Sequence, residues 1–225
     1  MIRRGIVVVA LLLAVIVGVT VYGWIAAPGD ALYPVHWNAR GEVDRWSSKA
    51  EALLVVPVIT LFLLALFALP LANAAFRERM RQSPTPHVVG WIGVLAFMTM
   101  VQVMMTLTAT GVVAPETSGT LTPRVMLAAL SMFLIVLGNV LPKTRPNGFL
   151  GVRTPWTRAS EYSWDRSQRL GGVLAMLSGV CGLAAAVFAP VALATAIVLA
   201  ATLASAVVSV AMSYVWWKND PSRGA

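Results

Sequence analysis

Charge is what this sequence has least of. Only 12% of its 225 residues are Asp, Glu, Lys or Arg, against 58% hydrophobic, where a soluble domain carries roughly 25% charged residues. The shortage has a pattern: all 17 basic and 9 acidic residues fall in connecting segments or tails, and none lies well inside an apolar run. An ionisable group at the centre of a bilayer costs at least ~2.5–3.5 kcal/mol and persists where protons or ions move. Its absence argues against a proton-coupled transporter and against an intramembrane aspartyl protease. Histidine is nearly missing as well, and His36 and His87 fall on opposite sides of the membrane in the topology derived below. They cannot share a site, which excludes a Ser–His dyad and a HExxH zinc site. The single cysteine, Cys181, lies within an apolar run, can form no internal disulfide and is expected simply to pack. No Gly-rich phosphate loop is present. No catalytic residue, metal ligand or cofactor is expected, and the chain does not read as an enzyme.

What the sequence has in quantity is long apolar runs. Six of them cover about residues 6–26, 52–76, 88–113, 125–141, 173–188 and 191–215. About 18 such residues, at 1.5 Å each, cross a ~30 Å hydrocarbon core. Membrane-barrel strands would alternate apolar and polar residues in short segments, and nothing here does. With no water to satisfy the backbone, unbroken runs of this length must be helices. Pro84, Pro86 and Pro142 fall just beyond run ends, Ala189-Pro190 makes a tight turn, and Pro57 and Pro70 are expected to kink the second span. The basic start "MIRRG" resembles a signal peptide, but an apolar run of about twenty residues exceeds the ~7–15 of a signal core, so it reads as an uncleaved first span.

Orientation follows from Lys and Arg in alternate connections. Thirteen fall on one side, including Arg77, Arg153, Arg166 and Lys218; four (Arg40, Arg45, Lys49 and Arg124) fall on the other. Both termini are therefore expected in the cytoplasm. The net charge of +8 is a topology signal and needs no nucleic-acid partner. The expected fold is an all-α integral membrane protein with six transmembrane helices, a short extracytoplasmic β-hairpin-like loop and an interfacial cytoplasmic helix. Residues 1–76 hold the first two spans and the outer loop; residues 77–225 hold four spans and a long inner loop, 142–172.

Polarity within the spans is mild. Thr99, Gln102, Thr106 and Thr110 recur at helical spacing on the third span. They read either as interhelical hydrogen bonding, worth ~0.6 kcal/mol each, or as the lining of a ligand groove. Ser178-x-x-x-Gly182 reads as close helix packing.

Two loops carry the remaining signal. The outer one is "YPVHWNARGEVDRWSSK", Tyr33 to Lys49. Asn38-Ala39-Arg40-Gly41 fits a type I turn followed by a left-handed glycine. A hairpin around it pairs Asn38 with Glu42, Trp37 with Val43 and His36 with Asp44. Alternation then sets His36, Asn38, Glu42 and Asp44 on one face and Val35, Trp37 and Val43 on the other. The polar face is either a self-satisfied cap or a patch open to a ligand; it has too few ligands for a metal.

The inner loop is "NGFLGVRTPWTRASEYSWDRSQRLGG", Asn147 to Gly172. Thr154-Pro155-Trp156-Thr157 looks like a helix start. From Arg158 to Leu170 nothing breaks a helix, and Gly171-Gly172 should end or hinge it. Trp156, Tyr162 and Trp164 would anchor at headgroup level beside arginines suited to an anionic leaflet. Anchoring alone does not require Asn147, Gly148 and Gly151 ahead of Arg153, which is expected to clasp the loop through its planar fork.

This segment closely resembles the signature of SdpI-type membrane proteins, matched by Asn147, Gly151, Arg153, Thr154, Pro155, Trp156, Thr157, Trp164, Arg169, Leu170, Gly171 and Gly172. The outer loop resembles a domain of unknown function that often precedes it, through Pro34, His36, Trp37, Asn38, Gly41, Asp44, Ser48 and Lys49. The resemblance implies a multi-pass protein of the bacterial cytoplasmic membrane, conferring resistance to a secreted peptide toxin met from outside and signalling through a repressor held inside. Its expected binding residues are His36, Trp37, Asn38, Gly41, Glu42 and Asp44 outside, with the signature residues inside. The alternatives are a facilitated small-molecule or lipid permease and a membrane scaffold.

Overall fold

The structure, a computed structural model, describes residues 2–68, 72–74, 77–78, 84–146 and 150–223. Its long helices are α1 (Ile2–Ala26), α2 (Lys49–Ala68), α3 (Pro84–Ala109), α4 (Pro115–Val140), α6 (Glu161–Phe188) and α7 (Val191–Lys218); α5 (Pro155–Ala159) is a single short turn. All six long helices are apolar and long enough to cross a membrane, as their composition required. Strands β1 (Tyr33–Trp37) and β2 (Val43–Ser47) form an antiparallel hairpin between α1 and α2. Pro70, Phe76 and Asn147–Gly148 lie outside the described residues.

The helices pack as two groups, α1–α2–α3 and α4–α6–α7, joined along α3 and α4. Lipid tails are as apolar as leucine, so association must come from close packing and hydrogen bonds. In the second group it comes from glycine. A Cβ on Gly138 of α4 would meet the Gly172 carbonyl oxygen at 2.5 Å, and one on Gly172 would meet the Gly138 oxygen at 2.6 Å. Lower down, Gly179 lies against the Ser131 carbonyl and Gly182 against Ser131 and Val198. Ser178 donates to the Ala201 carbonyl of α7 at 3.0 Å, so the expected close packing there is present.

This explains one departure from the sequence reading. Gly171-Gly172 neither ends nor hinges the helix; α6 runs straight through them. Two glycines cost a helix only about 1 kcal/mol each; here the missing side chain of Gly172 lets two backbones touch, and that of Gly171 makes room for Val152 and Ser209. The break comes earlier, at Ser160 (φ −145°, ψ 117°), whose hydroxyl caps α6 by accepting from the Ser163 amide at 3.0 Å. The helix expected over Arg158–Leu170 is therefore split at Ser160, and most of it is the first turns of a span.

In the first group the polar stripe holds the helices together. Gln102 and Thr106 are buried; Gln102 Nε2 donates to Thr20 Oγ1 of α1 at 3.0 Å and to the Leu53 carbonyl of α2 at 3.1 Å, and Thr106 donates to the Val19 carbonyl at 3.3 Å. Thr99 and Thr110 turn back onto their own helix. Gln102 and Thr106 of the stripe pack between helices, while Thr110 at its end also lines a small cavity of about 250 Å³ beside the hairpin base. Cys181 departs the other way: it is exposed on the outer surface of α6, not packed in the core.

Candidate functional site

The hairpin is built as its turn residues dictate. The Gly41 amide donates to the Asn38 carbonyl at 2.9 Å, and Gly41 takes φ +84°. Asn38 Oδ1 accepts from the Arg40 and Glu42 amides at 2.9 and 3.0 Å, while its Nδ2 donates to Glu42 Oε2 at 2.7 Å. Arg40 adds a contact to the same carboxylate at 3.1 Å. The Asn38 hydrogen bond, with Arg40 behind it, holds the Glu42 carboxyl below its usual range. Trp37 pairs with Val43 as expected, but His36 lies opposite Arg45 instead of Asp44, because the ladder slips between Trp37 and His36. Such a bulge adds a residue to one strand and re-aims its side chains. Here it still brings His36 Nδ1 to 2.5 Å from Asp44 Oδ1. The polar face thus bonds largely within itself.

The apolar face does the docking. Val35 and Trp37 pack on a cluster of Ala27, Tyr33, Ala52, Leu53, Met105 and Ala109. At the tip, a Cβ on Gly41 would meet the Gly119 carbonyl of α4 at 2.5 Å and Val191 of α7 at 3.0 Å. That carbonyl lacks its helical donor because the residue four on is Pro123, which has no N–H. At the base, Arg45 and Ser47 both bind the Glu51 carboxylate of α2, the former at 3.0 Å, and Lys49 donates to the Ala27 carbonyl at 2.7 Å.

Beneath this roof lies a cleft of about 550 Å³. Val35–Ala39 cover it; Ala52, Val55 and Val56 of α2, Val101 and Met105 of α3, Pro123, Met126 and Leu127 of α4, and Thr195 and Leu199 of α7 form its walls. His36, Asn38, Arg45 and Glu51 give it a polar mouth. Among the described residues the buried Trp37 Nε1 has no hydrogen-bond acceptor. Apolar lining with a few placed polar groups is the usual make-up of a ligand site of ~300–1,000 Å³.

The signature loop occupies the opposite end of the bundle. Thr154 caps α5 in a reciprocal box with Thr157, and Pro155 takes the first helical position. Gly151 has φ +113°, and a side chain there would collide with the Gln168 amide. Gln168, fully buried on α6, accepts from the Val152 amide at 3.0 Å and donates to the Val152 carbonyl at 3.1 Å. Thr157 donates to that carbonyl too, at 3.0 Å. Trp156 Nε1 donates to Ser213 Oγ of α7 at 2.6 Å, Ser163 donates to the Ser213 carbonyl at 2.7 Å, and Ser160 donates to Asp220 at 2.5 Å.

One expectation changes here. Trp164 is not a headgroup anchor: it is completely buried, donating to the Thr144 carbonyl at 3.0 Å. Arg153 and Arg169 are exposed, and Gln168, Thr157 and Trp156 take part in fastening the loop. Gln168 and Ser213 were not singled out from sequence, since neither an amide nor a serine on an apolar helix announces which backbone it will meet. Among the described residues no three His, Cys, Asp or Glu side chains gather at metal-binding spacing.

Residues 143–215, which hold the signature loop, α5, α6 and most of α7, match the SdpI/YfhL protein family. Residues 8–61, which hold α1, the hairpin and the start of α2, match the domain of unknown function DUF1648. Neither a curated protein nor a solved structure matches the chain. The signature residues from Gly151 to Gly172 fall in the first matched segment and the outer-loop residues in the second, on a six-helix scaffold. The chain is a multi-pass membrane protein that carries an SdpI/YfhL-type segment with a DUF1648 segment ahead of it.

Proposed function

We propose that this protein is a non-enzymatic immunity or sensor protein of the bacterial cytoplasmic membrane. Its hairpin end faces outward and takes up the apolar segment of a secreted, membrane-active peptide; its signature end faces the cytoplasm and presents a surface to a repressor. The observation that carries this reading is the hairpin-roofed cleft, with its apolar walls and its polar mouth. A peptide side chain or two fits such a space. One helix, α7, also reaches both ends: Thr195 and Leu199 line the cleft, while Ser213 holds Trp156 of the signature loop. The SdpI/YfhL match supports an immunity-type role at family level.

The test fills the cleft. Val56→Trp and Leu199→Trp should leave the protein in the membrane at normal levels but abolish protection when cells are challenged with a secreted membrane-depolarising peptide of the SdpI-type systems, read with a potential-sensitive dye. Full protection by both variants would remove the cleft from the function.

A further inference from the structure

A second groove, of about 610 Å³, lies at the signature end, between the first turns of α6 and the last turn of α7. Its walls are Tyr162, Asp165, Arg166, Arg169 and Leu170 from one face of α6, and Trp216 from α7. Arg166 and Arg169 are exposed. Arg166 stacks on the Tyr162 ring at 4.7 Å, and among the described residues neither arginine has an ion-pair partner, although Asp165 stands on the same wall. Two guanidinium forks one helical turn apart are thus left open toward one groove.

The depth of this groove in the fold says what meets them. The apolar run of α6 begins just after Leu170, and that of α7 ends just before Trp216, so the groove sits where hydrocarbon gives way to headgroups. Half-buried Tyr162 and Trp216 are the aromatic residues suited to that boundary. Guanidinium forks match phosphate oxygens in pairs. The wall carries two positive charges and one negative, a net charge complementary to a single phosphodiester. Asp165 would accept a hydroxyl from the headgroup, and Leu170 lies on the side where the chains descend.

We propose that this groove is a binding site for one anionic phospholipid with a hydroxylated headgroup, of the phosphatidylglycerol kind. Arg166 and Arg169 hold the phosphate, Tyr162 lies on its headgroup side with Asp165, Trp216 flanks the glycerol backbone, and the bound lipid fills the gap between α6 and α7 beside the signature loop.

The test is lipid retention by the purified full chain, measured by native mass spectrometry after exchange into micelles doped with phosphatidylglycerol or phosphatidylcholine. Wild type should retain phosphatidylglycerol preferentially. The Arg166→Gln/Arg169→Gln pair should lose that retention about tenfold, as two interfacial charges predict, with phosphatidylcholine unaffected. The Arg166→Lys/Arg169→Lys pair should lose less, and Arg158→Gln, exposed on α5 and outside the groove, should match wild type. Equal retention of both lipids by wild type, or an equal loss in Arg158→Gln, would overturn the site. Stabilisation by free inorganic phosphate as strong as that by the lipid would overturn its assignment to a lipid. A dimer that dissociates in the glutamine pair while lipid retention is unchanged would give the groove to a second copy.

Discussion

Gln102 supplies the donor that Pro57 lacks. Pro57 sits inside α2 without an N–H, so the Leu53 carbonyl one turn before it has no helical partner, and Gln102 Nε2 of α3 donates to that oxygen at 3.1 Å. A proline in one span thereby dictates a polar residue in another. An unpaired carbonyl in hydrocarbon is costly, and the pairing converts that cost into a link between two helices.

Gln102→Leu should therefore destabilise the protein by about 1–2 kcal/mol, since it removes bonds to both Leu53 and Thr20. In a Pro57→Ala background the restored backbone amide can serve Leu53 itself, and about half of that cost should disappear in a double-mutant cycle of unfolding in detergent. An identical cost in both backgrounds would refute the link.

Gly41→Ala should cost about 1–2 kcal/mol from the left-handed backbone alone, and more because the new methyl would press on the Gly119 carbonyl. The hairpin tip should lift from α4 and α7, and a cysteine at Ala39 should become more reactive. Unchanged thermal stability and labelling would mean that the tip is not docked.

Glu42 gives the hairpin a pH dependence. Its carboxyl is held below the usual range in the folded hairpin, first by Asn38 and then by Arg40. A depressed folded value stabilises the fold above the unfolded glutamate pKa, and that stabilisation is lost as pH falls through the folded value. Carboxyl carbon NMR should place the Glu42 titration below that of an unfolded glutamate. Asn38→Ala should move it up further than Arg40→Ala does; the reverse order would make the charge, not the hydrogen bond, the main cause.

Gln168→Leu should free the signature loop at a cost of about 2–3 kcal/mol, because it strips two buried hydrogen bonds from Val152. Proteolysis between Gly151 and Thr154 should accelerate. Arg158→Lys keeps the charge at an exposed position on α5 and should leave both readouts near wild type. Equal sensitivity of the two variants would mean that the Gln168 bonds do not hold the loop.

Single cysteines at Ala39 and Glu161, placed in a Cys181→Ser background, should label from opposite faces of intact cells, with Ala39 outside. Thirteen basic residues against four predict that sense. Labelling of both from one face would break the six-span topology.

The sequence by itself determined the architecture, because hydrocarbon leaves few choices. Runs of twenty apolar residues with charges only at their ends have to be spanning helices, and Asn38 and Gly41 encode a hairpin turn through purely local geometry. Thr154, Pro155 and Thr157 encode a helix start in the same way. Only the tertiary structure decided the rest. Gly171 and Gly172 read as a helix end locally; they lie mid-helix where Gly172 meets the α4 backbone at Gly138, more than thirty residues away, and Gly171 faces Val152 and Ser209 of α7. Trp164 has the composition of a membrane anchor and the position of a core residue, since the Thr144 carbonyl waits for its indole. The cleft is the clearest case. Its walls come from four helices whose residues, taken singly, are ordinary lipid-facing valine, leucine and methionine. A one-dimensional pattern can say that a face is apolar, but what covers that face depends on which helix packs beside it.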